Sequence, residues 1–256
     1  MPRYRLLIAY DGTDFEGWQR QLEGSETVQG AVEMALAQIL NEPVNLVASG
    51  RTDSGVHAEA QNAHFKTTKD LNHNFIRSMN SLLPESISVL KVWLAPDDFH
   101  AQRSAISKTY RYVIHNSEIP NALRRRYTTW VRKRLSVENL NAICEPLRGE
   151  HDFKSFQTSG TELKSTVRTI TELSWKQLEP DLIEFRVAGT GFLKQMVRNI
   201  VGTALYLHKN GGSASEMLAI LNQLDRRAAK TTAPPTGLHL HRVDYPPELD
   251  KKCREL

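Results

Sequence analysis

The stretch TVQGAVEMALAQIL, residues 27–40, carries one unbroken apolar stripe. Its apolar residues recur at intervals of three and four positions: Val28, Ala31, Val32, Ala35, Leu36, Ile39 and Leu40. This spacing places the side chains on one face of an α-helix. We therefore predict a helix over 27–40, ended by Pro43.

The segments on either side of this helix predict short strands and a second helix. The strands are expected at 3–10, 44–49, 60–66 and 86–94, and the second helix at 72–83. Its inward face consists of Phe75, Ile76, Met79, Leu82 and Leu83. The order is β-α-β-β-α-β, the split βαβ or ferredoxin-like plan.

The second half of the chain follows a similar order with insertions. We expect strands at 108–115, 128–131, 166–175, 182–188 and 237–243, and helices at 136–147, 191–208 and 213–223. The predicted fold class is α+β, with two ferredoxin-like halves, residues 1–105 and 106–256. They are expected to form one extended mixed or antiparallel sheet, with helices on one face.

Composition narrows the functional classes. The two cysteines, Cys144 and Cys253, have no paired spacing, which argues against a disulfide scaffold or a cysteine-built zinc site. No run approaches the ~18 apolar residues of a membrane helix, so we expect a cytoplasmic protein. A net charge of +4 favours a polyanionic partner without establishing one.

The loop GRTDSGVHA, residues 50–58, is the strongest candidate for chemistry. Gly50 and Gly55 permit tight turns, and Asp53 lies two positions from Arg51. A carboxylate held in this way can serve as a nucleophile or a base. It can equally cap backbone N–H groups in a hairpin turn, and spacing alone leaves both readings open.

Three further segments each have a functional and a structural interpretation. The long loop YDGTDFEGWQRQ (10–21) is either functional or packed around its aromatic residues. Tyr110 and Tyr112 share one strand face, as core residues or as a base-stacking platform. Arg198, beside an apolar helical stripe, either extends to solvent or pairs with a carboxylate.

The segment RRRYTTWVRKR (124–134) contains six basic residues and two aromatic ones. Arg124, Arg125 and Arg126 are candidate RNA-phosphate contacts, and the alternative is a solvated strand edge. His57 and His64 lie near Asp53 in the sequence, but the loop offers no further ligands, so a metal site is disfavoured.

Taken together, these segments resemble the tRNA pseudouridine synthase A family. GRTDSGVHA matches its active-site motif, and the family pattern continues in order along nearly the whole chain. The matching segments are YDGTDFEGWQRQ (10–21), TVQGAVEMAL (27–36), FHAQRSAISKTYRY (99–112), HDFKSF (151–156), GFLKQMVRNIVG (191–202) and APPTGLHLHRVDY (233–245). His239 stands where the family often has tyrosine, and the tail KKCREL has no family signal.

The resemblance implies a homodimer that converts uridines to pseudouridine in the anticodon stem-loop of tRNA, at positions 38–40, without cofactor or metal. It implies that Asp53 is the catalytic aspartate in an RNA-binding cleft. It further implies that Arg51 handles the target base, Tyr110 stacks on it and Arg198 pairs with the aspartate.

Two other classes remain as alternatives. A non-catalytic RNA-binding protein is disfavoured because the sequence lacks an RNP1-like stripe. A glycosidase or nuclease is disfavoured because it needs two facing carboxylates or a metal cluster, and this loop offers one carboxylate. The mass of the RNA separates these classes, since hydrolysis changes it and isomerisation does not.

Overall fold

The helix over 27–40 and its flanking strands are present in the computed structural model, which describes residues 1–21, 24–158 and 164–256. Thr27 caps that helix, accepting a hydrogen bond from the Gly30 N–H. The chain divides into two units, residues 1–106 together with 239–256, and residues 107–238. The last eighteen residues, which the sequence-based division left with the second half, therefore pack with the first.

The first unit follows the β-α-β-β-α-β order. Its elements are β1 (Arg3–Tyr10), α1 (Val28–Leu40), β2 (Val47–Ala48), β3 (His57–Lys66), α2 (Phe75–Leu82) and β4 (Ile87–Ala95). The sheet order is β4-β1-β3-β2, and every neighbouring pair is antiparallel. This is the pairing expected for a split βαβ arrangement.

The second unit repeats part of this plan. Its strands are β5 (Ser107–Asn116), β6 (Thr129–Val131), β7 (Gly149–Asp152), β8 (Val167–Glu179) and β9 (Leu182–Gly189), and its helices are α3 (Val137–Cys144), α4 (Met196–Lys209) and α5 (Ala214–Asn222). The order is β5-β9-β8-β7, all antiparallel, with β6 parallel to β5. The α+β class is confirmed, and the extended sheet with helices on one face stays a prediction.

The chain ends with β10 (Leu238–Asp244), α6 (Pro247–Asp250) and β11 (Arg254–Glu255). In the first unit β10 pairs in parallel with β3, and β11 pairs antiparallel with β4. The Arg5 guanidinium anchors this segment, because it lies 4.4 Å from the Tyr245 ring centroid and 2.5 Å from a carboxylate oxygen of Asp250.

Several predicted boundaries are wrong for identifiable reasons. Helix α4 begins at Met196 rather than residue 191, because Gln195 has a left-handed backbone (φ +59°) that α-helical residues do not adopt. Helix α3 gives way to a 3-10 turn at Glu145–Leu147, which contains a proline. Leu82, predicted to face inward, is 40% exposed, whereas Leu83, also predicted to face inward, is buried. Strand β7 was not predicted.

Among the described residues, no helix combines the length and the apolar character needed to cross a bilayer.

Candidate functional site

Asp53 lies in the loop between β2 and β3, where a tight turn holds it. The Val56 N–H donates to the Asp53 carbonyl at 3.2 Å, and Gly55 has φ +74°, a conformation that favours glycine. Asp53 is half-buried, whereas Arg51 is exposed. The hydrogen bond within this turn thus fixes the backbone of Asp53.

The loop of residues 11–21 supports this turn by direct backbone contact. The Trp18 N–H donates to the Thr52 carbonyl at 3.1 Å, and the Phe15 carbonyl accepts from the Gly55 N–H at 3.3 Å and the Ser54 hydroxyl at 3.2 Å. The Phe15 and Trp18 side chains are 7% and 1% exposed. The loop is therefore packed around its aromatic residues and also positions the aspartate turn.

Two glycines make this close approach possible. A Cβ added to Gly12 would lie 2.0 Å from the Val56 carbonyl oxygen. A Cβ added to Gly17 would lie 2.8 Å from the Thr52 carbonyl oxygen and 3.2 Å from the Asp53 carbonyl carbon. Both distances are below normal contact, so a side chain at either position displaces the backbone next to Asp53.

Tyr10, which the sequence did not single out, also holds the aspartate turn. Its hydroxyl lies 2.8 Å from Thr52 Oγ1. Burial raises the pKa of Tyr10 above its ordinary value, so its hydroxyl stays protonated at neutral pH. Tyr10 opens the segment YDGTDFEGWQRQ, and the density of glycine and aromatic residues there was the available signal.

A buried polar cluster connects the same loop to α1. Glu33, 5% exposed, accepts from the Leu46 N–H at 2.8 Å and from the Gln29 amide at 2.9 Å, and it pairs with Arg20 at 2.7 Å. Each of these three contacts gives the carboxylate a donor, as a buried charge requires. The cluster therefore fixes the position of Arg20 near the end of the loop of residues 11–21.

In the second unit, Tyr110 lies on β5 opposite Val187 of β9. It is 8% exposed, and its ring packs edge-on against Phe192, with centroids 5.1 Å apart. Tyr112, two positions on, is fully buried and donates to the Pro234 carbonyl at 2.9 Å. Both tyrosines are therefore buried in the core, and Tyr110 lies nearer the start of β5.

Arg198 lies in the first turn of α4 and is half-buried. Its Nε donates to the Ala233 carbonyl at 2.8 Å, and the Ala233 N–H donates to the Arg198 carbonyl at 3.0 Å. These two hydrogen bonds fix the backbone of Arg198 and the position of its Nε atom. Neither sequence interpretation, extension to solvent or carboxylate pairing, anticipated this backbone contact.

The segment that carries Ala233 is itself locked onto α4. The Asn199 side chain is fully buried and accepts from Thr232 at 2.6 Å and from Arg226 at 3.0 Å. A Cβ on Gly202 would lie 1.7 Å from the Thr231 carbonyl oxygen, so the helix and this segment meet backbone to backbone.

The basic segment is only partly available for RNA. Arg124 pairs with Glu179 at 2.7 Å and lies 3.6 Å from Asp181, so two carboxylates already neutralise it. Arg125 is exposed and Arg126 is half-buried. Tyr127 and Trp130 are 46% and 45% exposed.

A serine–histidine–aspartate cluster in the second unit resembles a hydrolase triad in its distances. Ser117 Oγ lies 2.8 Å from His115 Nε2, and His115 Nδ1 lies 3.2 Å from Asp181. However, the Ser117 hydroxyl donates its single proton to the Ile119 carbonyl. The hydroxyl is therefore not presented to the histidine as a nucleophile would be, and the cluster serves to tie down the loop after β5.

Comparison with known proteins identifies the class. A family model described as tRNA pseudouridine synthase matches residues 143–246. The chain is 46% identical over 259 aligned residues to the tRNA pseudouridine synthase A of Bdellovibrio bacteriovorus, covering 99% of each chain. It is 41% identical to tRNA pseudouridine synthase A 2 of Clostridium perfringens, covering 96% of this chain and 100% of that protein. The chain therefore belongs to the tRNA pseudouridine synthase A family.

Among solved structures, the chain aligns with an archaeal box H/ACA sRNP Nop10-Cbf5 complex at a TM-score of 0.37 and 11% identity. The alignment covers 79% of this chain and 43% of that chain, and a likeness this weak supports no inference.

Gly17→Ala and Gly24→Ala form a matched pair that tests how the aspartate turn is held. Both glycines have φ near +100°, but a Cβ on Gly24 meets nothing within 4 Å. Each variant should lose about 1–3 kcal/mol of stability from backbone strain. Only Gly17→Ala also crowds Thr52 and Asp53, so we expect it to lose about 1–3 kcal/mol more and to slow pseudouridine formation.

Urea denaturation and a pseudouridine assay on tRNA measure these two effects. Equal stability losses and equal rates for the two variants would contradict the positioning role of the loop.

Proposed function

We propose that this protein isomerises uridine to pseudouridine in the anticodon stem-loop of tRNAs, at positions 38–40. The observation that supports the proposal is the Asp53 turn. It lies in the segment GRTDSGVHA, which resembles the active-site motif of the tRNA pseudouridine synthase A family, and the chain belongs to this family. The contacts that hold this turn support a residue whose position matters for chemistry.

The reaction needs no redox partner or imported atom. The N1–C1′ glycosidic bond breaks, the uracil turns, and a C5–C1′ bond forms. The C5 hydrogen leaves as a proton and N1 takes up a proton. Atoms and electrons balance without a cofactor. An aspartate can attack C1′, add to C6 of the base or remove a ribose proton, and all three routes use the carboxylate of Asp53.

The other proposed site residues follow the family pattern. Arg51, exposed beside the turn, handles the target base. Tyr110 stacks on the uracil while its glycosidic bond is open, which keeps the base from diffusing away. By the same family pattern we propose that Arg198 pairs with Asp53, and the Ala233 carbonyl holds the Nε of the arginine.

The proposed partner is tRNA, bound by a homodimer in the cytoplasm. The target base must be flipped out of its stack, which costs a few kcal/mol that phosphate contacts have to offset. We propose that Arg124, Arg125 and Arg126 contribute such contacts in an RNA-binding cleft. Because two carboxylates already pair with Arg124, we expect it to contribute less than the exposed Arg125.

Asp53→Asn should abolish isomerisation while leaving folding and most tRNA affinity intact. The substitution preserves size but removes the nucleophile or base, and affinity rests mainly on phosphates. Release of the C5 hydrogen of uridine to water measures turnover, and mapping of pseudouridine in the treated tRNA gives the sites. Substantial turnover by the variant would remove Asp53 from the mechanism.

Tyr110→Phe should lose much less activity than Tyr110→Ala if the ring acts by stacking. Stacking of a base on an aromatic side chain contributes about 1–3 kcal/mol, most of which phenylalanine retains. The measurement is kcat on tRNA, with Tyr206→Ala, at an exposed tyrosine of α4, as the control expected to change nothing. Equal and severe losses for Phe and Ala would assign the function to the hydroxyl instead.

Arg198→Met should lower kcat far more than tRNA affinity. Methionine keeps the apolar stem of the side chain and removes the charge that aims the carboxylate. Arg227→Met is the control, since Arg227 is an exposed arginine of the same unit paired with Asp225. A near-normal kcat for Arg198→Met would leave Asp53 needing another cationic partner, with Arg51 the next candidate.

A further inference from the structure

A cationic pair outside the residues assigned so far lies at the end of the β5–β9–β8 sheet, beside Tyr110. Lys108 precedes Tyr110 by two positions on β5, so the two side chains share one face. Arg168 lies near the start of β8. Both side chains are half-buried.

The turn after β9 brings these residues together. Gly189 lies opposite Lys108 across the β5–β9 pair. A Cβ on Gly191 would lie 3.6 Å from Arg168 Nε, and Phe192 packs against Tyr110 at 5.1 Å. Gly191 therefore leaves room beside the Arg168 side chain. Gly189 instead allows a close backbone approach, since an added Cβ there would lie 2.4 Å from the Thr169 carbonyl oxygen.

The charges of the pair have no carboxylate partner among the described residues. Within the part of the chain that the structure describes, the Arg168 guanidinium donates to two backbone carbonyls, those of Ser165 at 3.1 Å and Val167 at 2.6 Å. Burial and the neighbouring Arg168 lower the pKa of Lys108, and burial lowers the pKa of Arg168. Both directions mean that each positive charge would be stabilised by an anion.

We propose that Lys108 and Arg168 form a phosphate subsite that takes a backbone phosphate of the substrate RNA next to the base stacked on Tyr110. The inference rests on the proposed function, because the RNA is placed by the role of Tyr110. A phosphodiester supplies a negative charge that no carboxylate of the described residues provides. Phosphate contacts of this kind fix register without reading sequence, which suits an enzyme that acts on several tRNAs.

Salt dependence of tRNA binding tests the subsite. Each lost phosphate contact lowers the slope of log Kd against log salt by about 0.7–0.9. Lys108→Met and Arg168→Met should each flatten the slope by about that amount. Lys176→Met, which removes an exposed lysine from β8, should leave it unchanged. Unchanged slopes for the first two variants, or an equal change for Lys176→Met, would overturn the subsite.

Amine acylation of the wild-type protein, read by mass spectrometry, needs no variant and therefore remains decisive if a substitution prevents folding. We expect tRNA to protect Lys108 but not Lys176. Protection by inorganic phosphate as complete as that by tRNA, at equal phosphate concentration, would indicate a free-anion site and overturn the RNA assignment. Pseudouridine formation by the same wild-type sample separates failure of the subsite from failure of the proposed function.

Discussion

The contact that everything at the aspartate turn depends on is the backbone-to-backbone packing of two loops in the first unit. Gly12 and Gly17 bring the loop of residues 11–21 within normal hydrogen-bonding reach of Thr52 and Gly55. Main-chain hydrogen bonds between loops are directional and short, so they restrict position more tightly than apolar packing does. The carboxylate of Asp53 inherits that restriction, which is what a residue that must meet a particular atom requires.

The second unit solves a similar problem at Arg198 by the same means. Gly202 lets the segment that carries Thr231 lie against the helix backbone. The fully buried Asn199 accepts from Thr232 of that segment and donates to the Phe156 carbonyl. The arginine side chain then receives a carbonyl at its Nε. In both units glycine permits two backbone segments to lie close together, and a network of hydrogen-bonded polar groups keeps them there. The side chains with proposed chemical roles are therefore positioned by residues that have no chemical role themselves.

How far the sequence predicts this structure depends on whether the signal is local. Helix α1 and strand β1 follow from periodicity alone, and the GRTDSGVHA loop follows from its unusual combination of glycine, arginine and aspartate. The start of α4 could not be predicted, since nothing local requires Gln195 to be left-handed. The packing of the last eighteen residues with the first unit uses two strand pairs and the contact of Arg5 with Asp250, 245 positions away. Hydrophobic periodicity carries no signal for such distant contacts. Likewise, the sequence counts Arg124 as a free cation, and only the fold supplies Glu179.

Ion pairing also distinguishes the basic residues whose charge is neutralised within the fold from Lys108 and Arg168. Arg5, Arg20, Arg111 and Arg124 each face a carboxylate within 2.5–2.8 Å. For such residues the fold itself accounts for the charge, and RNA would have to compete with an existing partner.

Lys108 and Arg168 differ because partial burial has a desolvation cost that no described carboxylate offsets. A half-buried cation retained at such a cost is better explained by an anion that arrives with the substrate than by the stability of the free protein. The net charge of +4 does not show which basic residues are neutralised by carboxylates within the fold, because it counts every charge equally. The cations most informative about the substrate are therefore these two beside Tyr110, rather than the densest basic run in the sequence.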